Sequence, residues 1–126
     1  VVNPALFEKL PFNVERDFAP VSQVVSAPYV LVAHPSLPAK TVKELVALAK
    51  ARPGALSYAT GGSGTNLHIA AELFALQAGV KLLHIPYKGN GPAIGDLIGG
   101  HIPLMFMPIP VSLGNIALTS IFKVVM

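Results

Sequence analysis

The chain has 126 residues, enough for one domain with a buried core. Hydrophobic residues make up 52% and charged residues 12%, against a usual charged share of about 25%. The surface is therefore expected to keep apolar patches that meet another domain or subunit. A net charge of +3, spread thinly along the chain, lacks the clustered cations and stacking aromatics of a nucleic-acid binder, and suits a small anionic ligand. The absence of cysteine excludes disulfides and thiolate chemistry.

No apolar run approaches the roughly 18 residues of a membrane-spanning helix. The most apolar stretch, "IPLMFMPIPVSL" (102–113), is short and carries three prolines. The first residues, "VVNPALFEKL", show neither a basic region nor a small-residue cleavage site, which leaves export open.

In chain order, Pro4–Leu10 reads as a short helix and "PFNVERDFAP" as a polar linker. Val21–Val25 and Tyr29–Ala33 are β-branched runs that read as one interrupted strand or two short ones. "HPSLP" turns the chain into a helix from Thr41, where Thr41-Val42-Lys43-Glu44 fits a capping box, and Arg52-Pro53-Gly54 stops it. A strand is expected over Leu56–Ala59, then a glycine turn, then a helix over Asn66–Ala78 ended by Gly79. The pattern then repeats. Lys81–Pro86 is a strand, "YKGNGP" a second glycine turn, Ala93–Ile98 a short helix, and Ile102–Met107 a third apolar strand. Strand–turn–helix units of this spacing predict an α/β fold with a parallel sheet and helices on its faces. Ligands bind such sheets outside the carboxyl ends of the strands, so both glycine turns are expected at that edge.

The first turn, "TGGSGTN" (60–66), offers small residues, free N–H groups at a helix start, and the side chains of Thr60, Ser63, Thr65 and Asn66. An anion cradle and a plain tight turn capped by Thr65 or Asn66 both fit it. Nucleotide and hydrolase motifs do not. No lysine follows the loop as a phosphate loop requires, and the third glycine of a dinucleotide fingerprint falls on Leu67. A nucleophile elbow centred on Ser63 would need glycine where Thr65 stands. What survives is a carboxylate-sized anion.

His68, one turn into the helix, can cap, pack or donate to a ligand, with structure the favoured role. Glu72, four residues on, reads as its surface hydrogen-bond partner. The six carboxylates include no pair spaced for acid–base catalysis. Tyr87 is placed to line a cleft, while Lys88 reads as a solvated turn residue. Met105, Phe106 and Met107 read as strand core.

The segments "NPALFEKLPF", "DFAPVSQV", "HPSLPAKTVKELVALAKARPG", "LSYATGGSGTNLHIAAELF", "HIPYKGNGPAIGDLIGGHIPLMF" and "SLGNI" closely resemble the Bug proteins. These are the TctC-like extracytoplasmic receptors of tripartite tricarboxylate transporters, and the resemblance runs over roughly residues 3 to 116. It implies one lobe of a type II periplasmic binding protein, non-catalytic and without cofactor or metal. The implied partners are a small mono-, di- or tricarboxylate and the membrane permease subunits, with no nucleic acid, and the implied place is the periplasm. The ligand residues carried over are Thr60, Gly62, Ser63, Gly64, Thr65, Asn66, His68 and Tyr87. The resemblance further divides the chain into a lead-in from the family's first domain (1–28), a ligand-binding second domain (29–116) and an atypical tail (117–126).

The family normally has a first-domain strand and anion loop before "NPAL", and often an acidic or amide residue after "LMF", where this chain has Met107-Pro108. A chain with half a cleft is expected to form a homo-oligomer through sticky segments near Val21–Val32 and Ile109–Met126. The rival class is a truncated homologue that serves as an oligomerising interaction domain without useful ligand binding. A small hydrolase using Ser63 is the remaining class.

Overall fold

The computed structural model describes residues 11–23, 26, 28–113 and 123–124. Elements in chain order are α1 (Val14–Asp17), β1 (Tyr29–Ala33), α2 (Val42–Ala51), β2 (Ser57–Thr60), α3 (Asn66–Ala78), β3 (Leu83–Pro86), α4 (Asn90–Ile98), β4 (Leu104–Pro108) and β5 (Lys123–Val124). The expected helix at Pro4–Leu10 lies outside the described residues, as does most of the tail.

The sheet order is β3-β2-β4-β1-β5. β2 pairs in parallel with β3 and with β4, as the repeated strand–turn–helix pattern predicts. β1 departs from that pattern. It runs antiparallel to β4, with Val30 opposite Met107 and Val32 opposite Met105, and antiparallel to β5 on its other side. The fold is α/β with a mostly parallel sheet. Of the expected Val21–Val25 run, residues 21–23 form no strand, with Val21 97% exposed, and residues 24 and 25 lie outside the described residues.

Local chemistry explains the helix bounds. Thr41 Oγ1 accepts the Glu44 N–H at 3.2 Å, while the Glu44 carboxylate reaches back to the Lys40 N–H at 2.6 Å rather than to that of Thr41. α3 starts at the Thr65 cap and stops at Gly79 in the left-handed region (φ 63°), as expected. α4 begins at Asn90, three residues before the expected Ala93. Pro92 then sits inside the first turn, where its missing N–H would have had no helical partner anyway.

The core lies against both faces of the sheet. Alternation along β2 and β4 puts Tyr58, Thr60, Leu104 and Phe106 on one face, and Ala59, Met105 and Met107 on the other. The Phe74 ring of α3 packs at 5.8 Å from Phe106, which places α3 on the first face. Leu45 and Leu97, from α2 and α4, are fully buried, as are Tyr58, Leu104, Met105 and Met107. The Met105–Met107 stretch is core, as its composition suggested. Replacing Leu97 by alanine is expected to cost about 2–5 kcal/mol of stability by leaving a cavity under α4. Urea unfolding monitored by circular dichroism reads this directly, and a loss below about 1 kcal/mol would contradict the packing.

Candidate functional site

β2, β3 and β4 all end at one sheet edge, and each of the first two feeds a glycine turn that opens a helix. The two turns are tied together. The Tyr87 N–H donates to the Thr60 carbonyl at 2.9 Å, and the Gly89 N–H to the Gly61 carbonyl at 3.0 Å. These bonds carry the β2–β3 ladder past the ends of the strands. A Cβ on Gly61 would overlap the side-chain oxygen of Asn90 and come within 3.2 Å of its backbone nitrogen, so the two turns approach closely here.

Between the turns and the end of β4 lies an open cleft of about 300 Å³. Its walls are Tyr29, Gly61, Thr65, Asn66, Leu67, Gly89, Asn90 and Pro108. The starts of α3 and α4 thus meet at one cavity, each bringing backbone N–H groups and the positive end of its dipole. α3 is capped by Thr65 Oγ1, which accepts the His68 N–H at 3.4 Å. α4 has no side-chain cap at all: its N-cap is Gly89. The Asn66 and Asn90 side chains are exposed and form no hydrogen bond among the described residues.

Of the eight residues expected to hold a ligand, the structure brings Thr65 and Asn66 to the cleft wall. The others stand behind it or beside it. Thr60 is fully buried. Its hydroxyl donates to the Gly62 carbonyl at 3.1 Å and lies 2.7 Å from His84 Nε2, an arrangement that is consistent when His84 carries its proton on Nε2. The Gly62 N–H is spent on Thr60 Oγ1 at 3.3 Å, and the Gly64 N–H on His68 Nδ1 at 3.1 Å. Gly64 needs its left-handed φ of 78° to aim that N–H backwards. The Thr65 hydroxyl donates to the Gly62 carbonyl at 2.9 Å. Ser63 is exposed at the tip of the turn. Tyr87 turns its hydroxyl to Asp96 Oδ2 at 2.5 Å, and that bond pushes its pKa up to about 12. Lys88 is exposed, as expected.

The wall residues that sequence reasoning passed over are Tyr29, Gly61, Leu67, Gly89, Asn90 and Pro108. "GNG" at 89–91 was the available signal for two of them, since it repeats the small-residue helix start of the first turn. Tyr29 and Pro108 face each other in the β1–β4 register, and only the antiparallel pairing brings Tyr29 to this edge.

Behind the first turn lies a layer of rings. His84 stacks on His68 with centroids 4.0 Å apart and planes within 12°, and on Tyr58 at 5.0 Å and 21°. The Tyr58 hydroxyl donates to Glu72 Oε1 at 2.5 Å, and the same oxygen lies 3.7 Å from His68 Nε2. The expected His68–Glu72 hydrogen bond is thus not formed: the two lie close, but the hydrogen bond to Glu72 Oε1 comes from Tyr58. Burial and the bond to Glu72 hold the Tyr58 hydroxyl well above its ordinary pKa. Burial first, then the neighbouring His68, holds His84 below the usual histidine value. Among the described residues no group of three or more His, Cys, Asp or Glu side chains is placed to hold a metal, and no helix is long and apolar enough to cross a membrane.

Comparison with known proteins bears on what the cleft is for. The family model described as the tripartite tricarboxylate transporter family receptor matches residues 1–122. The chain belongs to this receptor family. Protein BugT of Bordetella pertussis is 39% identical over 115 residues, covering 91% of this chain and 35% of the relative. A Rhodopseudomonas palustris protein solved with adipate, Rpa4515, superimposes with a TM-score of 0.78 at 28% identity, over 94% of this chain and 40% of the other. MatC of the same organism, solved with malate, gives 0.71 at 28% identity, over 83% and 36%. Solved members of the family include periplasmic binding proteins. The chain spans about a third of the length of the curated relatives it matches.

The lowered pKa of His84 fixes a sign for stability. Between its depressed folded value and its ordinary value of about 6.5, the unfolded chain binds more protons than the folded one. Stability is then fully present above about pH 6.5 and lost as the pH falls towards the folded value. The melting temperature is expected to drop on acidification through this window, and His84→Gln, which keeps a polar partner for Thr60, is expected to flatten that drop. An equally steep acid-side slope in the variant would contradict the assignment.

Proposed function

We propose that this chain supplies a carboxylate-holding lobe of a periplasmic solute receptor, which passes a small mono-, di- or tricarboxylate to membrane permease subunits of a tripartite transporter. The observation that carries the reading is the convergence of two helix starts, one without any side-chain cap, on one open cleft at the carboxyl edge of the sheet. The free N–H groups there belong to the first residues of α3 and α4, and Asn66 and Asn90 add side-chain donors. In this reading Thr60, Gly62, Gly64 and His68 shape the turn, and the carboxylate meets Thr65 and Asn66. Family membership and the adipate and malate of two solved relatives support the ligand class.

The role is binding without catalysis. Ser63, exposed at the tip of the turn, has no hydrogen bond to a base among the described residues. In the proposed organisation residues 29–116 form the ligand-binding domain, 1–28 lead in from a first domain, and 117–126 form a tail. Self-association through exposed apolar side chains is a second element of the proposal. Phe18, Val21 and Leu113 are 59%, 97% and 59% exposed, and light scattering that reports only monomer at high concentration would count against it.

Aspartate substitutions test the cleft without disturbing the fold, because a carboxylate at a helix start favours the helix. Asn66→Asp and Asn90→Asp are each expected to weaken adipate binding about tenfold or more by like-charge repulsion at close range, while the melting temperature holds or rises. Calorimetric titration of both variants reads this. Unchanged affinity in both would remove the carboxylate from this cleft.

A further inference from the structure

We propose that unprotonated His68 is the positioning residue of the first turn, and that a proton on its ring releases the Gly64 N–H and loosens the cleft wall. The functional half of this inference rests on the carboxylate reading above. The structural half does not.

The geometry begins with a single donor. Gly64 N–H points at His68 Nδ1 at 3.1 Å, so that nitrogen must present a lone pair. The ring proton of neutral His68 therefore sits on Nε2, on the side of Glu72 Oε1 at 3.7 Å. A second proton has only Nδ1 to occupy, and there it would set donor against donor at Gly64. The turn between Gly64 and the cleft is short: Thr65 and Asn66, its next two residues, are the cleft wall.

His68 cannot swing aside to relieve this conflict without breaking its own supports. One ring face lies on His84 at 4.0 Å. Its side chain is 17% exposed. The titratable groups that face it are Glu72 on its own helix, His84 on β3 and, through Glu72, Tyr58 on β2. Two stacked imidazoles cannot both be charged at this spacing without strong repulsion, so a proton on one disfavours a proton on the other. Burial disfavours a proton on His84, and the Glu72 carboxylate lies 3.7 Å from His68 Nε2. A proton on His68 costs the turn its Gly64 bond. Acidification is then expected to weaken carboxylate binding, in the direction opposite to that of a cation placed in the cleft to attract the ligand.

The decisive variant is His68→Asn, whose Oδ1 offers Gly64 an acceptor close to the Nδ1 position but does not titrate. His68→Leu removes the acceptor. In ¹⁵N-labelled chain without ligand, the Gly64 amide resonance is expected to move as the pH is lowered from about 8 to about 5. In His68→Asn it should stay fixed across the same range. A Gly64 resonance that ignores pH in the wild-type chain, or that titrates unchanged in His68→Asn, overturns the proposal.

Adipate titration over the same range gives the functional readout. The wild-type chain is expected to lose about fivefold or more in affinity on acidification, the scale of one hydrogen bond. His68→Asn should bind within about twofold of wild type at the upper pH and keep that affinity at the lower, whereas His68→Leu should bind weakly at both. A wild-type pH dependence that persists in His68→Asn, or full affinity in His68→Leu, overturns it as well. If adipate binds the wild-type chain at neither pH, the carboxylate reading fails, and the Gly64 titration still decides whether His68 holds the turn.

Discussion

Two backbone hydrogen bonds that extend the β2–β3 ladder beyond the strands hold the cleft in shape. Tyr87 to Thr60 and Gly89 to Gly61 fasten the second glycine turn against the first, and Gly61 leaves room beside them for the Asn90 side chain. A side chain at that position would displace the Asn90 side chain from the cleft wall. The parallel pairing of β2 with β3 and β4 is what delivers all three strand ends to the same edge. An antiparallel arrangement of these three would have sent one glycine turn to the opposite side of the sheet.

The polar groups behind this edge are bound to one another rather than left waiting for ligand. Thr60 serves Gly62 and His84, His68 serves Gly64, and Thr65 both caps α3 and closes the turn on Gly62. A buried polar group without a partner costs about 1–3 kcal/mol, so a pre-satisfied layer lets the turn keep its shape before anything binds. Rigidity of this kind lowers the ordering cost that binding must overcome. It also divides labour within the seven-residue turn: some N–H groups point back into the fold, and those at the helix starts point outward.

Much of this was legible in the sequence because local rules carried it. The Thr41 capping box, the Asn66–Ala78 helix with Gly79 as its stop, and the strand–turn–helix repeat all follow from residue chemistry within a few positions. The direction of β1 was not legible, since an apolar β-branched run reads the same whichever way its partner runs. That direction brings Tyr29 to the cleft. The inward aim of Gly62 and Gly64 was equally hidden, because small residues near a helix start signal close backbone approach without saying to what. His84 was overlooked as part of the site. Its role arises from register with Tyr58 across 26 residues of sequence, and from a helix laid over both. Asn90 was missed because Pro92 drew the expected helix start to Ala93, although a proline is accommodated anywhere in a first turn.

The central claim is that the α3 and α4 starts together form one carboxylate site. Amide chemical-shift mapping of the ¹⁵N-labelled chain during an adipate titration tests it most directly. The account predicts that the largest saturable shifts fall on Asn66, Leu67, Asn90 and Gly91, with both helix starts following a single binding curve. Shifts concentrated instead around Pro35–Glu44, where a separate open groove lies, or two helix starts that titrate with different affinities, would contradict it.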